Sequence, residues 1–444
     1  MEEKKIKDSI IKIALISSMA LILLLIILFA VLYFLNRKPL AAFYGISDKT
    51  RDIIVQNLES SVKTREGKRA YDILVLDDTV SLQEAMKSTK KIDILFINDG
   101  ANARFAYDYV RQKNLGFPKD KVLSGMTTSV KQTVTEYKDK KYIEKIPENL
   151  SDEQRKHIQE ENRFYLKAAS IPILLDNYEI DVKYQVFTDS KIGSINYWKD
   201  LEKLSEYSRQ QGLIPLLFAG GDDRELLNIV GALTESLSGK ADYEKAVKKL
   251  SGAVTSKKKA GSELYDAAQE LISEGNPLYT AVEFLKDWKA KGYLPRTFTQ
   301  LSKKDLRAYA NSDETSILLM SLEAHRTYSD SIIRKYRSIY FPSDAGNQSR
   351  SFTAPVIMAV SLSKKEMCRN SIKLLGRNLQ EKLTFGSGLA PAMANCAIPD
   401  KQADDARYWI AATEKPLTPL SDAAFVSDAN RAIVADVIRT ELNK

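Results

Sequence analysis

Three apolar runs, LAAFYGI (40–46), YDILVLD (71–77) and IDILFIND (92–99), alternate with two stretches of helical spacing, KTRDIIVQNLESSV (49–62) and SLQEAMKSTKK (81–91). Continuous apolar strands separated by amphipathic helices predict an α/β fold whose parallel sheet is covered on both faces. In open sheets of this kind ligands collect beyond the carboxyl ends of the strands. The three runs end at Ser47, Asp77 and Asn98–Asp99, each of which can equally cap the next helix.

Ahead of the first strand, Ile13–Leu35 is a run of 23 uncharged residues. At about 1.5 Å per residue such a helix spans the hydrocarbon of a bilayer. The run is longer than the apolar part of a cleaved signal, and Arg37 and Lys38 follow it, so an uncleaved anchor is expected. Lys4, Lys5, Lys7 and Lys12 before the run outnumber the two basic residues after it. That bias predicts a cytoplasmic N-terminus, a single membrane pass and a body on the extracytoplasmic face, periplasmic or outer. No cysteine stands just after the run, so a lipoprotein anchor is not expected.

The rest of the chain keeps the α/β character. Residues 116–165 form a charged surface elaboration of mixed sign, within which Ser151 and Gln154 have capping-box spacing. ASIPILLDNYEIDVKYQVF places a polar break, Asp176–Asn177–Tyr178, between two strand-like runs, as a strand leaving one domain for another would. Trp198, Leu201 and Leu204 share a helical face, as do Leu226, Val230 and Leu233. Trp198 and Trp288 read as core. TSILLMSLEAHR (315–326) is a strand running into a helix start, and DANRAIVADVIRTEL (428–442) reads as a closing helix.

IPLLFAGGDDRE (214–225) has the strand, glycine turn and helix of a phosphate cradle. Asp222 and Asp223 would repel a phosphate, so the segment suits a hydroxyl-rich ligand, or the aspartates cap the helix that follows. Tyr44, Tyr178 and Phe425 also sit in or beside polar breaks. A sugar offers C–H faces to aromatic rings and hydroxyls to carboxylates and amides, so interleaved residues of these kinds suit it.

Several function classes lack support. The net charge of +8 is shared between the first 40 residues and the body, and no nucleic-acid motif accompanies it, so no nucleic-acid partner is expected. A Gly-x-Ser-x-Gly elbow is absent, and no catalytic residues, cofactor or enzymatic activity are expected. The two histidines, His157 and His325, have no Cys or His at ligand spacing, so no metal site is expected. Cys368 and Cys396 could form one disulfide or stay unpaired.

The order of the pieces resembles the extracellular solute-binding proteins of bacterial ABC importers, in the class of maltose- and oligosaccharide-binding proteins. The likeness runs through SINYWKDLEKLSEYSRQQGLIPLLFAGGDD (194–223), EFLKDWKAKGYL, ETSILLMSLEAHR, SFTAPVIMAVSLSKKEMCRNSIKLLGRNL, and GSGLAPAMANCAIP followed by PLTPLSDAAF. It implies a two-lobe, type II periplasmic-binding-protein-like fold behind the N-terminal transmembrane helix. The implied division is an anchor over 1–39, a first lobe from 40–174 and 352–402, and a second from 175–351 and 403–444. Crossings are expected near 172–178 and 350–356. It further implies capture of a small solute, a sugar or oligosaccharide, between the lobes and its delivery to ABC permease subunits in the membrane.

On this mapping the ligand-binding candidates are Tyr44, Asp99, Asp176, Tyr178, Asp222, Asp223, Glu323, His325 and Phe425. Glu323-Ala324-His325 stands where the family often has Gly-Trp, and Ser351-Phe352-Thr353 where it has glycines before a crossing strand. An anchored ligand sensor or scaffold that uses the same fold without a transporter is the alternative reading.

Overall fold

The computed structural model describes residues 17–26, 28, 38–61, 70–87, 89, 91–139, 142, 146–254, 260–342, 354–377 and 379–444. Much of the Ile13–Leu35 run lies outside them, as does Ser351-Phe352-Thr353. Residues 17–26 are helical, with Leu21, Leu23 and Leu24 exposed. Among the described residues no helix is long and apolar enough to cross a membrane.

Thirteen strands are described: β1 (Leu40–Tyr44), β2 (Asp72–Val75), β3 (Ile94–Asn98), β4 (Phe117–Pro118), β5 (Glu136–Lys138), β6 (Leu166–Ala168), β7 (Ile171–Leu175), β8 (Tyr178–Lys183), β9 (Ile214–Leu217), β10 (Thr315–Ser321), β11 (Tyr336–Ile339), β12 (Val356–Ser361) and β13 (Ala390–Pro391). Six form one sheet in the order β13-β7-β12-β3-β1-β2, and four form a second in the order β11-β8-β10-β9. A small sheet, β4-β6-β5, belongs to the charged elaboration, where Ser151 and Gln154 make the expected capping box.

The expected parallel sheet is mixed. β1, β2 and β3 run parallel, but β12 pairs antiparallel with β3, and β7 antiparallel with β12. β7 thus runs in the same sense as β1–β3, and only β12 and β13, which belong to chain that has returned from the second sheet, run the opposite way. In the second sheet β9 and β10 are parallel, while β8 is antiparallel to β10 and β11.

Each sheet has its own core. Phe43 stacks on Phe96 in the first, with ring centroids 4.9 Å apart. In the second, Trp198 meets Trp288 edge to face at 6.1 Å, and its Nε1–H donates to Ser236 Oγ at 2.7 Å. The two tryptophans are core residues because their helices, Trp198–Gln210 and Tyr279–Ala290, turn these faces inward.

The chain passes between the cores side by side. β7 leaves the first sheet and, after only Asp176 and Asn177, becomes β8 of the second. Asp176 N–H donates to Pro355 O at 2.8 Å, next to the start of β12, and Ala354 N–H donates to Leu417 O at 2.9 Å. Ala406 and Ile410, on the helix Lys401–Ala411, bury with the first core, whereas Leu417 and Leu420 bury with the second. The stretch 403–411, expected in the second lobe, therefore packs with the first, because its apolar face matches that core. Both cysteines are free.

Candidate functional site

The glycine turn after β9 is built for packing. A Cβ on Gly220 would lie 2.6 Å from Phe298 O, and one on Gly221 2.7 Å from the Gln300 carbonyl carbon, so only glycine admits this backbone approach. Arg439, on the closing helix Asp428–Leu442, donates to both glycine carbonyls, Gly220 O at 3.1 Å and Gly221 O at 3.0 Å. Asp223 completes this clasp with Oδ1 2.6 Å from Arg439 Nη2. Asp222 is the N-cap of the helix Asp223–Ser238, its Oδ1 accepting from Glu225 N–H at 3.1 Å. The capping alternative holds for Asp222, and the first residues of the helix proper, Arg224 and Glu225, reach the space between the sheets.

That space is a cavity of about 470 Å³ with walls from both sides. Gly45, Ser47 and Asn98 come from the carboxyl ends of β1 and β3. Arg224, Glu225 and Asn228 come from the helix after β9, and Lys303, Arg307 and Tyr328 close the second side. Asp176 and Tyr178 lie where the chain crosses. The cavity sits where open α/β sheets place ligands, for the same topological reason: helix N-termini and strand ends leave polar groups there.

Polar contacts bridge the two walls. Glu323 Oε1 accepts from Ser47 Oγ at 2.5 Å and Thr50 Oγ1 at 2.6 Å. Lys49 Nζ donates to Arg326 O at 2.7 Å. Arg326 donates from Nη2 to Asp400 at 2.7 Å and from Nε to Gly388 O at 3.0 Å. Arg224 Nη2 lies 3.1 Å from Asp78 Oδ2 and 3.2 Å from Asp428 Oδ1.

Burial sets the charge state of the cavity floor. Asp176 Oδ1 accepts from the N–H groups of Asn177 (2.8 Å) and Glu323 (2.9 Å). Burial, reinforced by the Glu323 carboxylate, nevertheless holds the Asp176 carboxyl well above the usual carboxylate range. Burial also raises Asp422, against the pull of Arg224 and Arg431. Tyr178 is pushed up by burial and by Glu225, and its hydroxyl accepts from Asn228 Nδ2 at 2.5 Å.

Of the nine residues expected from sequence, Asp176, Tyr178 and Glu323 line this cavity. Tyr44 and Phe425 are buried in the two cores, the Tyr44 hydroxyl donating to Val80 O at 2.6 Å. Their polar neighbourhoods are strand and helix ends, with the rings turned inward. Asp99 is held by the hydroxyls of Tyr107 (3.0 Å) and Thr418 (3.1 Å), which occupy both its oxygens. Asp222 and Asp223 serve the turn. His325 is fully buried beside Glu179 and Asp181, away from the cavity. Sequence reading foresaw no metal-ligand set, yet β8 and the turn after β10 bring these three together across a wide sequence gap.

Sequence reasoning missed Ser47 as more than a strand end, and missed Arg224, Glu225, Asn228, Arg307 and Tyr328. One signal was available. Asn228 lies four residues after Arg224, on the same helical face, and interrupts the otherwise apolar LLNIVGAL.

Two sheets, each with its own core, joined by side-by-side crossings with a polar cavity between them, make a two-lobe α/β fold. The chain aligns with the bacterial solute receptor AcbH, described as having an exclusive preference for β-D-galactopyranose, with a TM-score of 0.60 and 11% identity over 91% of this chain and 96% of that one. It aligns with a chitin oligosaccharide binding protein with a TM-score of 0.55 and 14% identity, over 91% and 97% of the two chains. With maltose-bound MalE3 of T. maritima the values are 0.53 and 11%, over 91% and 99%. At these identities the likeness is one of fold. No protein-family model and no curated protein sequence matches the chain.

Proposed function

We propose that the protein is a membrane-anchored, extracytoplasmic solute-binding protein that captures a sugar or oligosaccharide between its lobes and delivers it to an ABC permease. The observation that carries this reading is the cavity between the sheets, walled by hydrogen-bonding groups from both. A solute that touches both walls favours the closed arrangement by its differential affinity, which is the physical basis of capture. Asn98, Asn228, Glu225 and Glu323 supply acceptors and donors for hydroxyls, and Tyr178 and Tyr328 supply ring surface. Asp176 and Tyr178, at the crossing, are placed to sense both sides. Binding needs no cofactor and no chemistry, so the protein is read as a non-enzyme.

The lobes are taken as 40–174 with 352–411, and 175–351 with 412–444. The 23 uncharged residues of Ile13–Leu35 support a single-pass anchor in contact with the bilayer, and the basic bias before them supports an outward-facing body.

The full-length chain in detergent, screened by thermal shift against mono- and oligosaccharides, amino acids, polyamines and metals, tests the proposal. A sugar present at 100 times its Kd should add about 2.7 kcal/mol of stability. A shift with another solute and none with any sugar would retire the carbohydrate assignment. N-terminal sequencing of the mature protein beginning near Ala41 would retire the anchor.

A further inference from the structure

Three side chains, two on the second sheet and one on the helical turn after β10, are not among the residues that line the cleft. Glu179 and Asp181 alternate along β8 with Tyr178, Ile180 and Val182, whose side chains join the second core, so the two carboxylates share the other face of the strand. His325 ends the single helical turn Leu322–His325 after β10. Its Nδ1 lies 3.3 Å from Glu179 Oε1 and 3.1 Å from Asp181 Oδ1. All three residues are fully buried. One ligand atom from each falls within a group no more than 4.8 Å across.

Among the described residues the two buried carboxylates have only the His325 imidazole as an ion-pair partner, so a single cation faces two acids. The adjacent Arg326 turns its guanidinium to Asp400 and Gly388 O instead. Glu179 Oε2, Asp181 Oδ2 and His325 Nε2 receive no hydrogen bond from the described residues.

The spacing suits a small cation. With bonds of about 2.0–2.1 Å, tetrahedral ligand atoms stand roughly 3.4 Å apart, close to the two distances from His325 Nδ1. Gln402, on the helix that packs with the first core, reaches across. Its Nε2 is 2.5 Å from Glu179 Oε1 and 2.7 Å from His325 Nδ1, and it also meets Ser338 Oγ. Turned through 180°, the same amide presents its oxygen there, and to ligate it would draw back by about 1 Å to reach the ligand-to-ligand spacing. A pocket of about 730 Å³, which shares no lining residue with the cleft cavity, opens beside Ser338 and Gln402, with Asp330, Asp400 and Asp405 but also Arg326, Arg334, Arg337 and Lys401 in its walls.

We propose that Glu179, Asp181 and His325 bind one divalent transition-metal ion of the zinc class, with the Gln402 amide oxygen as a fourth ligand from the other lobe. An imidazole with two carboxylates suits Zn²⁺, whereas Ca²⁺ and Mg²⁺ take oxygen ligands. Coordination requires a neutral imidazole and two ionised carboxylates, so the ion enters as protons leave. Because the helix that carries Gln402 packs on the first core through Ala406 and Ile410, the ion ties the lobes together away from the cleft. This site is independent of which solute the cleft binds.

The test uses the full-length chain in detergent, stripped with a chelator, re-equilibrated with Zn²⁺ at about 10 µM free ion, and assayed for bound metal by mass spectrometry. One equivalent is expected for the wild type and for His157→Gln, which alters the other histidine, on an exposed helix face. His325→Gln and Asp181→Asn should each weaken binding at least tenfold, and Gln402→Met by a smaller factor. Co²⁺ in place of Zn²⁺ should give the visible absorption of a four-coordinate ion, lost in His325→Gln. Near-UV circular dichroism shows which variants fold, and Asp181→Asn carries the comparison if His325→Gln does not. A wild type that retains no zinc overturns the proposal, as does equal retention by the folded variants or loss in His157→Gln alone.

Discussion

The carboxylate of Glu323, on the second lobe, stands 2.5 Å from the hydroxyl of Ser47, on the first. The same oxygen accepts from Thr50 at 2.6 Å, so one side chain fastens the start of the helix Asp48–Ser61 across the cleft. On the proposed reading, such a lobe-to-lobe tie made by the protein itself would favour the closed arrangement before any solute arrives.

Removing that tie should open the cleft. A hydrogen bond to a charged group contributes about 1.5–3 kcal/mol, so Glu323→Ala should shift the open–closed balance roughly tenfold or more toward the open form. Small-angle scattering of the solute-free protein should then record a larger radius of gyration. An unchanged radius would mean that the contact carries no weight in closure.

Asp222 and Asp223 separate turn stability from ligand binding. Asp222→Ala should lower stability by about 1 kcal/mol through the lost cap and leave solute affinity within twofold. Calorimetric titration beside a melting curve reads both quantities. A tenfold loss of affinity with an unchanged melting temperature would return Asp222 to the ligand.

The pH dependence of stability should carry the mark of Asp176. Its carboxyl pKa is raised in the folded protein by burial and by Glu323. The native state therefore holds this proton more tightly than the unfolded chain does. The associated stability is fully present below the unfolded value, near 3.9, and is lost as pH rises through the folded value. Asp176→Asn keeps an oxygen to accept from Asn177 and Glu323 but carries no charge. It should be more stable than the wild type at neutral pH, with the advantage vanishing in acid. Parallel denaturation curves at pH 3.5 and 7 would show the crossover, and a variant less stable at pH 7 would contradict it.

Glycine substitutions should divide by what surrounds them. Gly220→Ala would press a Cβ to 2.6 Å from Phe298 O, and the backbone must move, at a cost of about 1–3 kcal/mol. A methyl group on Gly252, in the helix Lys240–Val254, would meet nothing within 4 Å, and Gly252→Ala should stabilise by about 0.5–1 kcal/mol. Urea unfolding of the two variants should move in opposite directions.

Local patterns determined much of this protein. The apolar runs at 40–46, 71–77 and 92–99 became neighbouring strands, and DANRAIVADVIRTEL became the helix it describes, because burial on a sheet face and 3.6-residue periodicity are properties of short segments. The break read at Asp176–Asn177–Tyr178 marks the crossing, although Tyr178 itself begins β8 and packs in the second core. What only the tertiary structure decided is which polar residues share a space. Asp99, Asp222 and Asp223 look like ligand contacts in sequence, yet each is taken by a partner within the fold: Thr418 for Asp99, Arg439 for Asp223, and the helix start itself for Asp222. Arg224, Glu225 and Asn228 reach the cleft because the helix pivots on a glycine turn pressed against residues 298–301. His325 finds Glu179 and Asp181 only because β10 pairs antiparallel with β8. Hydrogen bonds and charges act over a few ångströms, and those distances are set by packing between segments that sequence leaves far apart.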